Sequence, residues 1–406
     1  MHVLYFHQFF GIPKGSAGTR SYEFAKRLVA NGHQVTMVCG SLASGKTGLE
    51  GPFENGRRTG VVDGIRVIEL DLPIANKTSL VGRLVSFLKF GWRSVAVAMK
   101  EDYDVVFATS TPLTAGIPGI FARRFRKKPF VFEVRDLWPE LPVAIGAVKN
   151  PILIWGMALI EKSSYRAADR CIGLSPGIVK GIARLYPEDK IAMIPNSCDL
   201  DVFDVPTQPF AWPEPIKPGD FKAVFTGTHG LANGLGSLLD AAAELKKRGR
   251  NDIKIICIGD GREKEALVAR AKAEGLDNCV FLNSVPKTQL VNALHSADVG
   301  LMILKNVPAF YYGTSPNKFF DYLASGLPVL NNYPGWLAGM IEEHNCGRVV
   351  PPDDAAAFAT AMEKMAADRD ALAEMGKNAR ELANEFSRDK LAVQFEAVIL
   401  EAAGKK

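Results

Sequence analysis

One lysine of this sequence lies where a cation is electrostatically unfavourable. In TSPNKFFDYLASGLPVL, residues 314–330, Ser315 fits the N-cap of a helix and Pro316 fits its first position, where a missing N–H has no cost. Gly326 suits the left-handed position that ends such a helix. Lys318 would lie in the first turn, where the helix dipole opposes a positive charge. A bound anion would favour this arrangement, and a lysine that extends into solvent is the alternative.

A glycine-rich stretch, GIPKGSAGTR at 11–20, follows the first predicted strand and opens a helix. Its backbone N–H groups could surround an anion or a sugar, with an arginine nearby. An ordinary strand-to-helix turn is the alternative. The stretch is not a G-x-G-x-x-G sequence, so it argues only weakly for a dinucleotide. The candidate residues are Gly15, Ser16, Gly18, Thr19 and Arg20.

Two further loops of the first half carry polar residues at strand ends. In EVRDLWPE, residues 133–140, Arg135, Asp136 and Glu140 crowd together, which is costly unless they are solvated in a cleft or paired. A structural pair between the arginine and the aspartate is the alternative. In IPNSCDLDVF, residues 194–203, an asparagine and an aspartate (196 and 199) are equally suited to cap a turn.

The second half contains similar loops: TGTHGLANGL at 226–235, GDG at 259–261 and SVP at 284–286. Each signal is weak alone, because strand-to-helix loops are commonly rich in glycine. Their recurrence together with the 314–330 helix indicates a binding site. His7 and His229 lie in or beside these loops, where a catalytic role competes with structural hydrogen bonding.

The elements that position these loops alternate along the chain. Short β-branched runs and helical patterns follow each other in both halves, which predicts an α/β fold with two doubly wound, Rossmann-like parallel-sheet domains. Ligands of such sheets bind beyond the carboxyl ends of the strands, so we expect the two domains to face each other across a cleft. The expected strands are 2–6, 34–40, 103–109, 130–134 and 170–175, then 222–227, 253–259, 279–283, 299–304 and 328–332.

A proline-rich stretch without periodicity, residues 204–220, predicts a linker. The expected domains are therefore 1–203 and 221–385, followed by a C-terminal helix at 386–406 that packs back on the first domain.

Composition restricts the possible classes. The chain has 406 residues, 47% of them apolar, and a net charge of +5, which does not indicate nucleic-acid binding. Its six cysteines are scattered without a C-x-x-C pair, as is typical of small buried residues in a reducing compartment. No basic leader and no long uncharged apolar run is present, so we expect a cytoplasmic protein without a membrane-spanning helix.

Two stretches predict contact with a membrane surface. Residues 76–100 and 122–128 each contain five lysines or arginines and no acidic residue, and the first interleaves them with large apolar side chains. This pattern is typical of docking on anionic lipid, and a helix buried on one side and solvated on the other is the alternative. The apolar run PILIWGMALI, 151–160, is too short to span a bilayer and is expected in the core.

The order of several motifs resembles a known family. IPNSCD..VF, FTGTHGLANGL, CIGDGREKEAL, LNSVPKTQL and SPNKFFDYLASGLPVL are similar, in this order, to GT-B glycosyltransferases of family 4. RDLWPE and SPNKFFDYLA are similar to the WbuB-like branch, which serves bacterial surface-polysaccharide synthesis. The resemblance covers nearly the whole chain.

The resemblance implies a glycosyltransferase that uses a nucleotide sugar, UDP-linked, and a lipid-linked or lipopolysaccharide acceptor, with retention of configuration and no metal. Lys318 would face the donor diphosphate and Asp321 the ribose hydroxyls. Lys318 and Asp136 are the implied catalytic residues, and the glycine-rich and EVRDLWPE loops would bind the acceptor. The other implied donor-binding residues are Gly227, Thr228, Asn233, Gly259, Asp260, Val285, Pro286, Ser315, Pro316 and Asn317.

The sequence departs from the family pattern at four positions, one of which is Asp321, where many members have a second glutamate. Many members have a glutamate where this chain has Gly313, and arginine and lysine where it has Thr228 and Asn233. Fewer cations would then meet the diphosphate, so Lys318 gains importance. We expect Tyr311, Tyr312 and Thr314 to line the sugar pocket in place of the missing glutamate, which would suit a deoxy or N-acetylated sugar.

Two other classes of function remain open at this point. A nucleotide-sugar epimerase would change the donor without an acceptor, and a non-catalytic module would bind the donor without turnover. The paired carboxylates of a glycoside hydrolase are a rival mechanism, but no spacing in the sequence specifies them.

Overall fold

The structure is a computed structural model that describes residues 1–15, 18–42, 46–74, 78–204, 208–311 and 313–405. These residues form two compact units. The first contains Met1–Pro195, Gly313–Ser315 and the described residues from Asp389 onward, and the second contains the other described residues between Asn196 and Arg388.

The first unit is built on a sheet of eight described strands in the order β3-β4-β2-β1-β5-β6-β7-β8. Neighbouring strands are parallel except β3 and β4, which form an antiparallel hairpin. The strands are β1 (His2–Phe6), β2 (Gln34–Leu42), β3 (Arg57–Val62), β4 (Ile65–Ile74), β5 (Val105–Thr109), β6 (Phe130–Val134), β7 (Arg170–Gly173) and β8 (Ile191–Met193).

The helices of this unit cover both faces of the sheet, which explains why the central strands are apolar on both sides. The first six are α1 (Arg20–Ala30), α2 (Leu80–Lys100), α3 (Ile117–Arg126), α4 (Glu140–Ala144), α5 (Pro151–Ala167) and α6 (Pro176–Ala183). Phe90 of α2, Ala122 of α3 and Tyr165 of α5 share one core with alternate strand residues, whereas Phe24 of α1 belongs to the core on the other face.

The second unit has six described strands, all parallel, in the order β11-β10-β9-β12-β13-β14. They are β9 (Phe221–Thr226), β10 (Ile253–Ile258), β11 (Cys279–Leu282), β12 (Val299–Met302), β13 (Val329–Asn331) and β14 (Gly347–Val349). Its helices are α7 (Leu200–Phe203), α8 (Gly236–Lys247), α9 (Lys264–Ala273), α10 (Lys287–His295), α11 (Pro308–Tyr311), α12 (Asn317–Ala324), α13 (Trp336–Glu343), α14 (Ala355–Ala367) and α15 (Arg369–Glu385).

The last helix, α16 (Arg388–Ala402), returns to the first unit from Asp389 onward. Phe395 packs against Phe24 and Phe107, with ring centroids 4.5 and 4.8 Å apart. This aromatic contact buries the apolar side of α16 on the same sheet face as α1.

The ten strands expected from the sequence are all present, with ends that differ by up to two residues. The sequence pattern missed β3, β4, β8 and β14. Strand β3 reads RRTGVV and alternates between exposed and half-buried residues at the sheet edge, so it lacks the apolar run that marks a buried strand. The chain passes between the units at Pro195, before the expected linker, whose described part at 208–220 contains neither helix nor strand.

Two expectations about burial have different outcomes. All six cysteines are buried and unpaired, as predicted. The expectation that 151–160 lies in the core is wrong for one side of α5, where Ile152, Trp155 and Leu159 are exposed. In the described parts of the chain no helix is long and apolar enough to cross a membrane.

Candidate active site

Helix α12 begins one residue later than the sequence suggested. Pro316 has an extended backbone, with ψ of 137°, and therefore takes the N-cap position that was expected for Ser315. Pro316 has no side-chain acceptor to offer to the N–H groups of the first turn. Gly326 follows the helix with φ of +62°, as predicted. The start of α12 is thus suited to bind an anion.

Lys318 lies in this first turn without a carboxylate partner among the described residues. Its Nζ lies 3.8 Å from the centroid of the Phe225 ring, at the end of β9, and donates to Asn233 Oδ1 at 3.2 Å. Asn233 in turn donates to the Thr228 carbonyl at 2.6 Å, which ties the glycine-rich loop after β9 to the lysine. The aromatic face and the amide oxygen stabilise the ammonium group only in part.

The protonation of Lys318 reflects this environment. Burial lowers the pKa of Lys318 to about 7, because the ammonium group loses water without gaining a carboxylate. An anionic ligand beside it would favour the charged form and raise the pKa again. Lys318 is therefore a buried cation that an anionic ligand would stabilise.

The glycines of the second unit have a packing role that the sequence did not reveal. A Cβ at Gly259 would lie 1.9 Å from the Gly227 carbonyl oxygen, and one at Gly261 would lie 2.4 Å from the His229 carbonyl oxygen. The loops after β9 and β10 thus pass each other at backbone distance. Asp260 is exposed, and its carboxylate accepts from the Gly261 N–H at 2.8 Å.

His229 is buried between aromatic rings and is a poor candidate for acid–base chemistry. Its ring lies 6.2 and 5.9 Å from the rings of Phe225 and Phe281. Neither ring nitrogen has a hydrogen-bond partner in the described part of the chain. Burial and the nearby Lys264 lower the pKa of His229 to about 4, so the ring is neutral at physiological pH.

Asp321, one turn after Lys318, is already paired. Its carboxylate lies 3.2 Å from Lys287 Nζ, at the start of α10, and Lys287 also binds Asp199. Asp199 contacts Arg388 as well, and it makes no capping bond to α7, although the sequence allowed a turn cap there. We name these four residues, Asp199, Lys287, Asp321 and Arg388, the charged cluster.

Protonation in the charged cluster follows its pairing. Burial lowers the pKa of Lys287, but the Asp321 and Asp199 carboxylates outweigh this effect and leave the pKa raised. Burial raises the pKa of Asp199, but Lys287 and Arg388 outweigh it and hold the pKa well below its usual range. For Asp321, burial dominates and raises the pKa.

Sequence reasoning missed Lys287, although Pro286 directly before it was a candidate. Pro286 is the N-cap residue of α10 and is exposed, and Val285 is half-buried. The available signal was a lysine immediately after the loop at the end of β11. Its two carboxylate partners are 88 and 34 residues away in the chain, so no local pattern relates them.

In the first unit, Arg20 is a buried structural residue rather than an exposed acceptor ligand. Its guanidinium group donates to Glu133 at 2.7 Å and to the Ile194 and Pro195 carbonyl oxygens. The arginine thus joins the start of α1 to β6 and to the two residues that precede the second unit in the chain. Arg20 was predicted to bind the acceptor, but it is only 2% exposed and its guanidinium group is held by Glu133. No local pattern indicated this partner, because it lies 113 residues away in the chain.

The other acceptor candidates have varied surroundings. Asp136 accepts from Thr111 Oγ1 at 3.1 Å, and burial raises its pKa although Arg135 and Thr111 oppose this. Arg135 donates its backbone N–H to Ser110 Oγ at 3.0 Å. Glu140 starts α4, is exposed and pairs with Arg184 at 3.0 Å.

The glycine-rich loop before α1 is described only in part, because Ser16 lies outside the described residues. Thr19 is buried at the N-cap position of α1 and makes no capping bond. Gly15 closes a turn through its N–H to the Ile12 carbonyl at 3.0 Å, and Gly18 is exposed. His7, after β1, is buried, which together with Arg135 lowers its pKa well below the usual value.

The basic surface is smaller than the sequence suggested. Arg126 donates to the Ala98 and Glu101 carbonyl oxygens, and Lys128 donates to that of Tyr103. These two side chains are bonded to backbone carbonyl oxygens of the protein itself. Only some of the cations at 122–128 are therefore available to a partner. Within the described residues no group of three histidine, cysteine, aspartate or glutamate side chains is arranged to hold a metal ion.

Two family models match the chain, one over each half. Residues 15–197 match the glycosyl transferase 4-like domain, and residues 207–382 match the glycosyl transferases group 1 domain. Each half of the chain is therefore similar to a glycosyltransferase domain. Together with the two parallel sheets and the similarity to solved structures, these matches establish the GT-B fold that the sequence predicted.

Two named relatives are a glycosyltransferase and a rhamnosyltransferase. Over 275 residues the chain is 29% identical to D-inositol 3-phosphate glycosyltransferase of Nocardia farcinica, covering 62% of this chain and 59% of that protein. Over 218 residues it is 30% identical to D-rhamnosyltransferase WbpZ of Pseudomonas aeruginosa, covering 52% of this chain and 54% of that one. The matched stretches thus span less than two thirds of both relatives.

Solved glycosyltransferase structures share the fold at low sequence identity. Sucrose-phosphate synthase from Thermosynechococcus elongatus has a TM-score of 0.75 at 20% identity, with 98% of each chain covered. Anabaena HepE, solved with UDP, has a TM-score of 0.69 at 18% identity, with 99% and 100% covered. WaaG, a glycosyltransferase of lipopolysaccharide biosynthesis, has a TM-score of 0.66 at 16% identity, with 98% and 99% covered.

Proposed function

We propose that this glycosyltransferase moves an N-acetylated or deoxy sugar from a UDP-linked donor to a lipid-linked or lipopolysaccharide acceptor, with retention of configuration. The observation that carries the proposal is Lys318, a cation in the first turn of α12 that has no carboxylate partner among the described residues. A nucleoside diphosphate supplies the negative charge that this site lacks.

The proposed chemistry requires charge stabilisation on the donor side. The bond between the sugar and the diphosphate breaks through an oxocarbenium-like transition state, and negative charge grows on the leaving phosphate. Lys318 and the first-turn N–H groups of α12 would stabilise that charge, and such electrostatic stabilisation is the largest contribution in many enzymes. Asp321 binds the ribose hydroxyls, and Asp136 is the proposed catalytic carboxylate on the acceptor side.

The sugar and acceptor follow from weaker observations. Gly313 offers no side chain to the donor sugar, and Tyr312 lies outside the described residues. Tyr311 is buried and bonded to Asn306, so of the expected pocket residues Thr314 is the better candidate. A surface glycan as acceptor is supported by WbpZ and WaaG, whose names refer to a rhamnosyltransferase and to lipopolysaccharide biosynthesis.

The site of action follows from the proposed acceptor. A lipid-linked acceptor requires contact with the cytoplasmic face of the cell membrane, as a peripheral protein. The exposed Lys89, Arg124 and Lys127 support contact with anionic lipid.

A ligand screen followed by turnover tests the proposal. Thermal unfolding with UDP, GDP, dTDP and ADP should show the largest shift for UDP, because a ligand that binds only the folded state stabilises it. UDP-sugars are then incubated alone and with lipid-linked acceptor. Transfer that depends on acceptor supports the proposal, whereas isomerised donor would indicate an epimerase, and binding without turnover would indicate a non-catalytic module.

A further inference from the structure

Helix α5 is apolar on two opposite sides. Its first ten residues, Pro151 to Ile160, include no charged residue. Met157 and Ile160 face inward and pack against the core of the first unit. On the outward side, Ile152, Trp155 and Leu159 are 74, 68 and 51% exposed. A helix that is apolar all round is normally covered on every side, so the outward side lacks its partner.

The outward residues of α5 form a regular stripe. They are spaced by three and four positions, which places them on one side of the helix. Val143 and Ile145, just before the helix, are also exposed, each at 40%. We name Ile152, Trp155 and Leu159 the α5 stripe.

A second stripe lies on α2, on the same side of the sheet. Its exposed apolar residues, Val81, Val85, Leu88 and Trp92, are again spaced by three and four positions. The ring of Phe121 on α3 contacts Trp92 and Phe125, with centroids 5.9 and 5.5 Å apart. Because α2, α3 and α5 pack on one sheet face, their outward sides form one surface.

The charged side chains of this surface are mostly cations. Helices α2 and α3 contain no carboxylate, and α5 contains only Glu161, whose carboxylate accepts from Tyr165 at 3.0 Å. Exposed cations surround the apolar stripes: Lys89, Arg124, Lys127, Lys149 and Lys162. A positive border around apolar side chains complements an anionic leaflet, in which the headgroups are negative and the layer below them is apolar.

We propose that the outward surface of α2, α3 and α5 docks on an anionic bilayer and that the α5 stripe inserts below the headgroups. The inference rests on the proposed function, in which the acceptor is linked to a lipid. Docking on the bilayer would bring that acceptor within reach of the first unit. Tryptophan prefers the interfacial layer, where the indole N–H stays near water, and the branched aliphatic side chains enter the apolar layer below it. Insertion adds an apolar contribution to binding that salt does not screen.

The experiment separates insertion from charge attraction in the full-length protein. Wild type, Ile152→Ser with Trp155→Ser (the stripe variant), and Lys89→Ser with Arg124→Ser and Lys127→Ser (the charge variant) are co-sedimented with phosphatidylglycerol vesicles. Parallel samples contain phosphatidylcholine vesicles, and each is run at low and high salt. The matched control is Val393→Ser, which removes an equally exposed apolar residue from α16 on the other sheet face.

The affinity of the stripe variant for vesicles should fall by about tenfold or more at both salt concentrations. The reason is that the variant lacks two apolar side chains that the bilayer would bury. The charge variant should lose binding mainly at low salt, and Val393→Ser should match wild type. Lipids brominated along the acyl chain should quench wild-type tryptophan fluorescence, and this quenching should be clearly smaller in Trp155→Phe, with Trp92 contributing the remainder.

Three results would overturn the inference: unchanged vesicle binding by the stripe variant, no vesicle binding by wild type, or a dimer that Ile152→Ser with Trp155→Ser dissociates. Thermal unfolding with UDP is measured on every variant. A missing shift of Tm with UDP in wild type would contradict the proposed function. If the stripe variant loses vesicle binding but keeps its Tm shift with UDP, the variant is folded and the lost contact is the one with the bilayer.

Discussion

Lys318 and Lys287 are both partly buried lysines of the second unit, and their surroundings are opposite. Lys287 lies between the Asp321 and Asp199 carboxylates, and its pKa is raised. Lys318 contacts an aromatic ring and an amide oxygen, and burial lowers its pKa to about 7. A charge that is paired inside the protein supports the fold, whereas a charge left without its counterion indicates a ligand.

The largest expected effect is on catalysis by Lys318→Ala. Loss of one preorganised donor to a leaving group typically reduces kcat by about 10²–10³. The effect on kcat should exceed the effect on donor affinity, because negative charge on the phosphate grows mainly in the transition state. Steady-state kinetics with the donor found in the ligand screen measures the effect. Unchanged turnover would show that Lys318 has no catalytic role.

Lys287→Met should instead reduce stability. It leaves the two carboxylates with Arg388 as the remaining cation of the charged cluster. Breaking a buried pair costs about 3–5 kcal/mol. Because the Lys287 side chain is 20% exposed, we expect the lower part of that range, about 3 kcal/mol. Urea unfolding at neutral pH measures the change. Full stability in this variant would show that the charged cluster contributes little to the fold.

Asp321→Asn should weaken donor binding with a smaller effect on turnover. A carboxylate that binds ribose hydroxyls acts equally in the ground and transition states, so KM should rise by about tenfold while kcat is largely retained. Because Asp321 also contacts Lys287, its unfolding curve is the necessary control. A collapse of kcat at constant KM would assign Asp321 a chemical role.

The smallest expected effect is on stability in Lys318→Met. Below pH 7 the wild-type lysine is charged in both folded and unfolded protein, so the folded state bears the full cost of burying that charge. Between about pH 7 and pH 10 the unfolded state binds a proton that the folded state does not, so wild-type stability rises with pH. Lys318→Met should therefore raise Tm at pH 6, by about 2–4 °C, and the difference should shrink at higher pH.

More of the fold than of the candidate site could be predicted from the sequence. The ten buried strands were predictable because parallel strands are continuous apolar runs, whereas the edge strand β3 has no such run. The importance of Lys318 was predictable, because the unfavourable position of a cation in a first helical turn can be recognised from the neighbouring residues alone. The Lys287 and Arg20 pairs were not, because their partners come from distant segments. The outward side of α5 was misjudged because an apolar run carries no sign of which side is covered.

The most direct test of the account is whether donor binding takes up a proton at Lys318. Calorimetric titration with a UDP-sugar is suitable, because its diphosphate has no group that titrates near neutral pH. Wild-type affinity should fall as pH rises through about 7, approaching tenfold per pH unit, because a deprotonated lysine must gain a proton on binding. Lys318→Met should bind more weakly and without this pH dependence. An affinity that is independent of pH in wild type, or equally pH-dependent in Lys318→Met, would contradict the assignment of Lys318 to the diphosphate.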